Sequence, residues 1–177
     1  MNANARLGLM GKHPGYGDFL RAGLTNETAE ALENWLDKTL SELRDSLGNN
    51  WAVFWDHSQD LRFWTGRAVL GCTVAGVLRP SRDRAGRRYP LILAAEAVTG
   101  PTLWAHHPEG NLDALLSSAA SVDAERAILN RSYWWAPGTK ERAAVWLGCS
   151  DLPTAPALGW LFAGLAAEPT NEAANAQ

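Results

Sequence analysis

Cysteine is nearly absent from the chain. Cys72 and Cys149 are the two among 177 residues, far apart and outside any CxxC pattern. That excludes a disulfide framework and a cysteine-based zinc site, and it points to a reducing compartment. No apolar run reaches the roughly 18 residues that a membrane-spanning helix needs. The longest, Ala68 to Leu78 and Pro156 to Ala167, read as core. The opening MNANARLGLMGKHPG lacks the apolar stretch of about 7–15 residues that marks a secretory signal. A cytoplasmic location with no direct membrane insertion is therefore expected. Neither sign of charge dominates: 16 lysines and arginines face 19 aspartates and glutamates, a formal net charge of −3. Such a balance gives no global attraction to nucleic acid or anionic lipid.

Whole chemistries are missing as well. The stretch GKHPGYGDF (residues 11–19) carries three glycines and a lysine, but a P-loop needs Gly-x4-Gly-Lys-Ser/Thr. Arg6 and His13 occupy the positions where glycine and a hydroxyl residue would have to stand. A dinucleotide fingerprint requires G-x-G-x-x-G opening directly into a helix. Gly15-Tyr16-Gly17-Asp18-Phe19-Leu20 has no third glycine, and the next helical pattern begins several residues later. No helix N-terminus is then aimed at a pyrophosphate. There is no G-x-S-x-G elbow. Asp56-His57-Ser58 spells a triad in consecutive positions, where the side chains cannot line up in one hydrogen-bonded row, so it reads as a turn that ends a strand. His106-His107-Pro108-Glu109 lacks the spacing of a zinc helix. No cofactor and no metal are expected.

Tryptophan, by contrast, is plentiful, with nine in the chain. Indoles bury large areas and also anchor interfaces. Trp134 and Trp135 are adjacent. In a strand, neighbours face opposite sides, so one indole is expected inside and the other toward solvent or a partner.

Periodicity places the elements. Residues 5–10 read as a first strand entering the glycine loop. Leu32, Trp35, Leu36, Leu40, Leu43 and Leu47 recur at three- and four-residue steps and predict a helix over 27–47. Thr25 or Asn26 is its cap and Gly48 its end. Short aromatic and β-branched runs predict strands at 51–55, 61–65, 73–78 and 89–94, the last two as a hairpin or elaborated loop. Helices are expected near 112–120 and 123–129, then a strand at 143–147 and a final helix from Asp151 to about Gly164. EPTNEAANAQ, from Glu168, has almost nothing to bury and reads as a disordered tail. The sum is one α/β domain over residues 1–167. Its central sheet is mainly antiparallel or mixed and is flanked by helices.

RPSRDRAGRR (residues 79–88) holds five arginines against one aspartate, Asp83, a local net of +4 in a chain of net −3. Such a loop fits a phosphate, an acidic protein surface or nucleic acid, or it holds itself together through buried carboxylates. Nucleic acid is disfavoured, because aromatics interleaved with further basic residues are lacking.

Two stretches together resemble one family. GKHPGYGDFLRAGL (residues 11–24) is similar to the G-K-x-P-x-x-G-D-F-x-R-x-G-L opening of the TagF (ImpM) proteins of bacterial type VI secretion. AGVLRPSRDRAGRRYPL (residues 75–91) resembles their G-V-x-x-P-S-x-D-x-x-G-R-x-x-P-L block. The matching positions are Gly11, Lys12, Pro14, Gly17, Asp18, Phe19, Arg21, Gly23 and Leu24, then Gly76, Val77, Pro80, Ser81, Asp83, Gly86, Arg87, Pro90 and Leu91. His13 departs from the usual apolar residue and Thr25 from the common proline.

The resemblance implies a longin-like relative of αβα type. It also implies a non-enzymatic cytoplasmic repressor of type VI secretion assembly that binds the system's forkhead-associated scaffold protein. The two motif loops are expected to meet, with Asp18 and Asp83 bonded to Arg87 and Arg21 as a structural lock. Gly15 and Gly17 are expected to supply the positive φ angles of the first loop. Arg82, Arg84 and Arg88, with Trp134 and Trp135, are the candidate partner contacts. The rival reading is an enzyme binding a small molecule or phosphoryl group between the loops 11–19 and 79–88. Self-association stays open.

Overall fold

The computed structural model describes residues 6–97 and 130–166. The helices expected at 112–120 and 123–129 lie outside the described residues. So do Trp104, the cluster from His106 to Glu109, and the tail 168–177.

Seven strands form one sheet in the order β2-β1-β5-β4-β3-β6-β8. They are β1 (Arg6–Gly11), β2 (Leu20–Ala22), β3 (Leu61–Thr65), β4 (Val74–Arg79), β5 (Leu91–Glu96), β6 (Ser132–Ala136) and β8 (Val145–Cys149). Every neighbouring pair is antiparallel. The short β7 (Arg142–Ala143) pairs with β9 (Leu165–Ala166) beside it.

The pleat sorts side chains between two faces. Cross-strand partners Met10, Ile92, Leu78 and Leu61 run along one face. Gly76 pairs with Phe63, which pairs with Trp134. A Cβ at Gly76 would press on the Phe63 ring. Its absence lets that ring lie stacked on Trp134, centroids 4.8 Å apart.

Helix α1 (Asn26–Leu47) covers this face with its leucine stripe, Leu32, Leu36, Leu40 and Leu43 all buried. Thr25 caps it by accepting from the Thr28 N–H. The cap is tied to the sheet in turn, since the Thr25 amide and hydroxyl both donate to the buried Glu96 carboxylate at 3.0 and 2.7 Å. Gly48 ends the helix, its N–H returning to the Arg44 carbonyl. Helix α3 (Arg67–Leu70) and helix α4 (Ala155–Ala163) add Leu70, Leu158, Leu161 and Phe162 to the same core. Trp35 joins α1 to the segment before α4 by donating its indole N–H to the Pro153 carbonyl at 2.8 Å.

Three expectations need correcting. Residues 51–55 are not a strand but the start of helix α2 (Trp51–Asp56). Trp51, Phe54 and Trp55 stand at i, i+3 and i+4, so a helix places them together: Trp51 packs on both other rings. Trp55 is buried and donates its N–H to the Ser81 carbonyl. The strand at 143–147 is shifted and divided into β7 and β8, with Ala144 between.

The third correction concerns Trp134 and Trp135. They do face opposite sides of β6, yet neither reaches solvent, being 0% and 5% exposed. Trp135 belongs to a separate apolar cluster with Trp64 and Tyr133 on the far face of the sheet. Neither indole is available to a partner.

Trp134→Ala removes the ring between Phe63 and Trp35, and denaturant unfolding is expected to show a loss of about 3–5 kcal/mol. Trp134→Phe, which keeps an aromatic in the slot, should lose clearly less.

Candidate functional site

The turn from β4 to β5 folds on itself around one side chain. The Asp83 carboxylate accepts the amides of Ala85 and Arg87 at 3.0 and 2.9 Å. Aspartate suits this role because its short carboxylate reaches its own downstream backbone. Gly86 supplies the positive φ of 81° that closes the turn, donating to the Asp83 carbonyl. Across the loop, Arg82 bridges to Arg88 and the Tyr89 amide donates to the Ser81 carbonyl. The Asp83 side chain ends with no solvent exposure, bonded by Arg87 Nε at 2.7 Å.

The first motif closes around the second. Lys12 sets its ammonium 3.5 Å from Asp83 and donates its amide to the Pro90 carbonyl at 3.2 Å. Arg87 donates to the Gly17 carbonyl at 2.8 Å. The Arg84 amide and guanidinium donate to the carbonyls of Tyr16 and Gly15. Phe19 meets Tyr89 edge-on at 5.4 Å. Gly11 sits at φ 115°, where a Cβ would run into the Pro90 carbonyl oxygen. The motif glycine at 11 is therefore what lets the two chains touch. Gly15 and Gly17, expected to take positive φ, do not; Gly11, Gly23 and Gly86 do.

The electrostatics follow the geometry. Burial alone would raise the Asp83 pKa. The Arg87 backbone and guanidinium, with Lys12 behind them, outweigh burial and hold it below the ordinary value. Arg88 grips Asp56 through two bonds, at 3.1 and 2.7 Å. That grip, against some burial and helped by the charges of Arg88, Arg82 and His57, lowers the Asp56 pKa. Arg79 holds Asp60 in the same two-bonded way, at 2.8 and 2.7 Å.

The predicted site residues thus divide. Lys12, Gly17, Phe19, Asp83, Gly86, Arg87 and Pro90 are brought together, with Gly11 and Ser81 at the joint. Pro14 lies on the exposed rim and Pro80 is half-buried. Asp18 is a correction. It is exposed, with no hydrogen bond or ion pair among the described residues, because the Gly17 carbonyl occupies the place its carboxylate was expected to take. Arg21 is another: it turns to α1, bonding the Asn26 carbonyl at 3.0 Å and facing Glu30 and Glu33. Of the candidate contacts in the arginine loop, Arg84 and Arg88 are occupied. Arg82 alone of the five arginines has no hydrogen bond or ion pair to a side chain or to the first motif among the described residues. Sequence reasoning missed Asp56, Asp60 and Asp37, the last of which accepts from the Tyr89 hydroxyl at 2.9 Å. A surplus of acids upstream was the available signal, without any indication of which arginine each would meet.

Among the described residues, no group of three or more His, Cys, Asp or Glu is placed to hold a metal ion. No helix there is long and apolar enough to cross a membrane. Lys12, the one lysine of the glycine loop, faces Asp83.

Comparison with known proteins finds a matching family model and similar solved structures. The model of the TagF N-terminal domain, described as type VI secretion system-associated, matches residues 8–131. The crystal structure of PA0076 from Pseudomonas aeruginosa PAO1 is similar at TM-score 0.72 and 26% identity, over 92% of this chain and 97% of that one. No curated protein matches.

Because the folded Asp83 pKa lies below the unfolded value of about 3.9, its carboxylate stabilises the fold above that value. The contribution is lost as pH falls through the folded pKa. Asp83→Asn should lower the thermal midpoint at neutral pH, with the gap to the parent closing as pH falls through the depressed folded-state pKa of Asp83. Asp18→Ala should leave the unfolding free energy within about 0.5 kcal/mol of the parent.

Proposed function

The chain belongs to the TagF family of type VI secretion-associated proteins, and from that premise we propose that it is a non-enzymatic, cytoplasmic regulator. It represses assembly of the secretion system after translation, by binding the system's forkhead-associated scaffold protein. One observation carries this reading over the enzymatic one: the charged groups of both motifs are used on each other. Lys12, Asp83, Arg84 and Arg87 close a joint between two loops. A phosphoryl-binding loop would hold such groups in reserve for a ligand.

What the joint does for a binding protein is to fix shape. Loops are the mobile parts of most folds, and ordering them on binding costs affinity. Here the arginine loop is ordered beforehand, by a buried carboxylate and three backbone carbonyls of the glycine loop. Arg82 is presented on its exposed edge.

Calorimetric titration of the purified chain into the forkhead-associated scaffold of the same organism tests the proposal. Micromolar or tighter binding is expected, weakened about tenfold by Arg82→Glu at matched thermal stability. A folded sample that releases no heat with the scaffold would remove that partner.

A further inference from the structure

A cleft of about 260 Å³ runs between the C-terminal half of α1, the start of α2 and the end of the arginine loop. Asp37, Ser41 and Arg44 from α1, Trp51 from α2, and Arg88 with Tyr89 from the loop line it. We propose that this cleft receives an aspartate or glutamate side chain of the partner protein and is the anchor of the interface. The inference rests on the reading of the chain as a protein-binding regulator.

Donors prevail in the cleft. Arg44 makes no ion pair among the described residues, so its guanidinium is available. Arg88 is fixed by Asp56 through Nε and one Nη. A guanidinium has five N–H groups, so several remain for a ligand, on a side chain whose orientation is already set. The Trp51 indole N–H has no acceptor among the described residues, and Ser41 adds a hydroxyl. The one acceptor of negative charge, Asp37, is engaged by the Tyr89 hydroxyl. That bond leads Asp37 to raise the Tyr89 pKa further, after burial has raised it most. Tyr89 therefore stays protonated and does not oppose an anion.

Charge decides between possible oxyanions. Two guanidiniums face two carboxylates, Asp37 and Asp56, and only the Arg44 charge is uncompensated by a direct pair. A single negative charge matches that surplus. A phosphate dianion would bring a second charge against Asp37.

The residue types point to a protein rather than a metabolite. Arginine, tryptophan and tyrosine are the types that dominate interface hot spots, and all three lie in this one cleft. Trp51 is held by stacking on Phe54 and a tilted ring contact with Trp55, so little side-chain freedom is lost on contact. Val53, on the same short helix, is 64% exposed and offers apolar surface beside the anchor. Arg82 is exposed on the neighbouring loop, its charge acting on the same Asp56 that orients Arg88.

The test uses the ¹⁵N-labelled chain and three probes: an acetylated, amidated Gly-Glu-Glu-Gly peptide, its Gly-Gln-Gln-Gly counterpart, and inorganic phosphate. The Trp51 indole resonance, assigned with Trp51→Phe, is the readout. The glutamate peptide is expected to shift it saturably in the millimolar range, the glutamine peptide to leave it in place, and Arg44→Gln to weaken the effect about tenfold. Glutamine keeps the helix propensity of this exposed site, so loss of folding is not the expected cause. An unmoved resonance, a parent-like titration by Arg44→Gln, or saturation by phosphate at lower concentration than by the peptide would each overturn the proposal. Since no scaffold protein enters this experiment, its failure is separate from failure of the scaffold titration. Binding of the scaffold with equal affinity by the chain and by Arg44→Gln would likewise move the interface elsewhere and leave the regulator reading intact.

Discussion

A carboxylate closed off from water must have its charge answered inside the fold, and Asp83 is answered from both motifs at once. Two amides and a guanidinium come from its own loop, and an ammonium comes from Lys12 of the other. Burying a charge without such partners costs several kcal/mol, so the arrangement is satisfied as a whole or not at all. This makes the lock a specificity device. The arginine loop has one conformation in which its central acid is satisfied, and that conformation requires the glycine loop against it.

The sheet makes the meeting possible. β1 and β5 are neighbours, registered from Arg6 with Glu96 to Gly11 with Leu91. The loops leaving Gly11 and entering Leu91 therefore start side by side. Their closest backbone approach, at Gly11 and Pro90, leaves no room for a Cβ. At the opposite end of the same pair, Glu96 fastens the α1 cap through Thr25. Each end of the β1–β5 pair thus carries a buried acid that ties it to another segment: Glu96 to the helix that covers the core, Asp83 to the loops that form the surface.

Much of this was legible where a local pattern sufficed. The leucine steps gave α1 nearly to the residue, the alternating run 61–65 gave β3, and the flanking apolar runs gave the β4–β5 hairpin. The two motif blocks gave the family and the meeting of the two loops, but they set Asp83 against Arg21, where the fold sets it against Arg87. Legibility failed where two patterns competed or where partners are distant in the chain. The aromatic content of 51–55 favours a strand, while its i, i+3, i+4 spacing favours a helix, and burial of Trp55 against the core decided for the second. Trp134 and Trp135 were divided between core and solvent on the premise of a one-sided sheet. Aromatics on both faces of β6 void that premise. Asp18 lies between Lys12 and Arg21 in sequence, but the backbone turns its neighbour's carbonyl toward Arg87. Arg79 and Arg88 find Asp60 and Asp56 at separations of 19 and 32 residues, distances at which spacing carries no information. The cleft at Arg44 was out of reach for the same reason, since three separate segments form it.

Functionally, the loop with the strongest positive charge in the chain spends most of that charge on structure. On the proposed reading, its binding capacity is narrowed to Arg82 and to the free edge of Arg88, and it is joined by Arg44 and Trp51, which no motif marks. A rigid platform with few free cations is the form expected of a selective protein contact rather than of broad attraction to anions.

The central claim is that the two motif loops are one cooperative unit built on Asp83. Amide hydrogen exchange by residue, compared between the chain and Asp83→Asn, addresses it most directly. The amides of Arg84, bonded to Tyr16, and of Lys12, bonded to Pro90, report the contacts between the loops. The account predicts that both lose protection together in the variant while α1 and β3 keep theirs. Opening of the arginine loop alone, with Lys12 still protected, would show that the glycine loop stands by itself and would contradict the account.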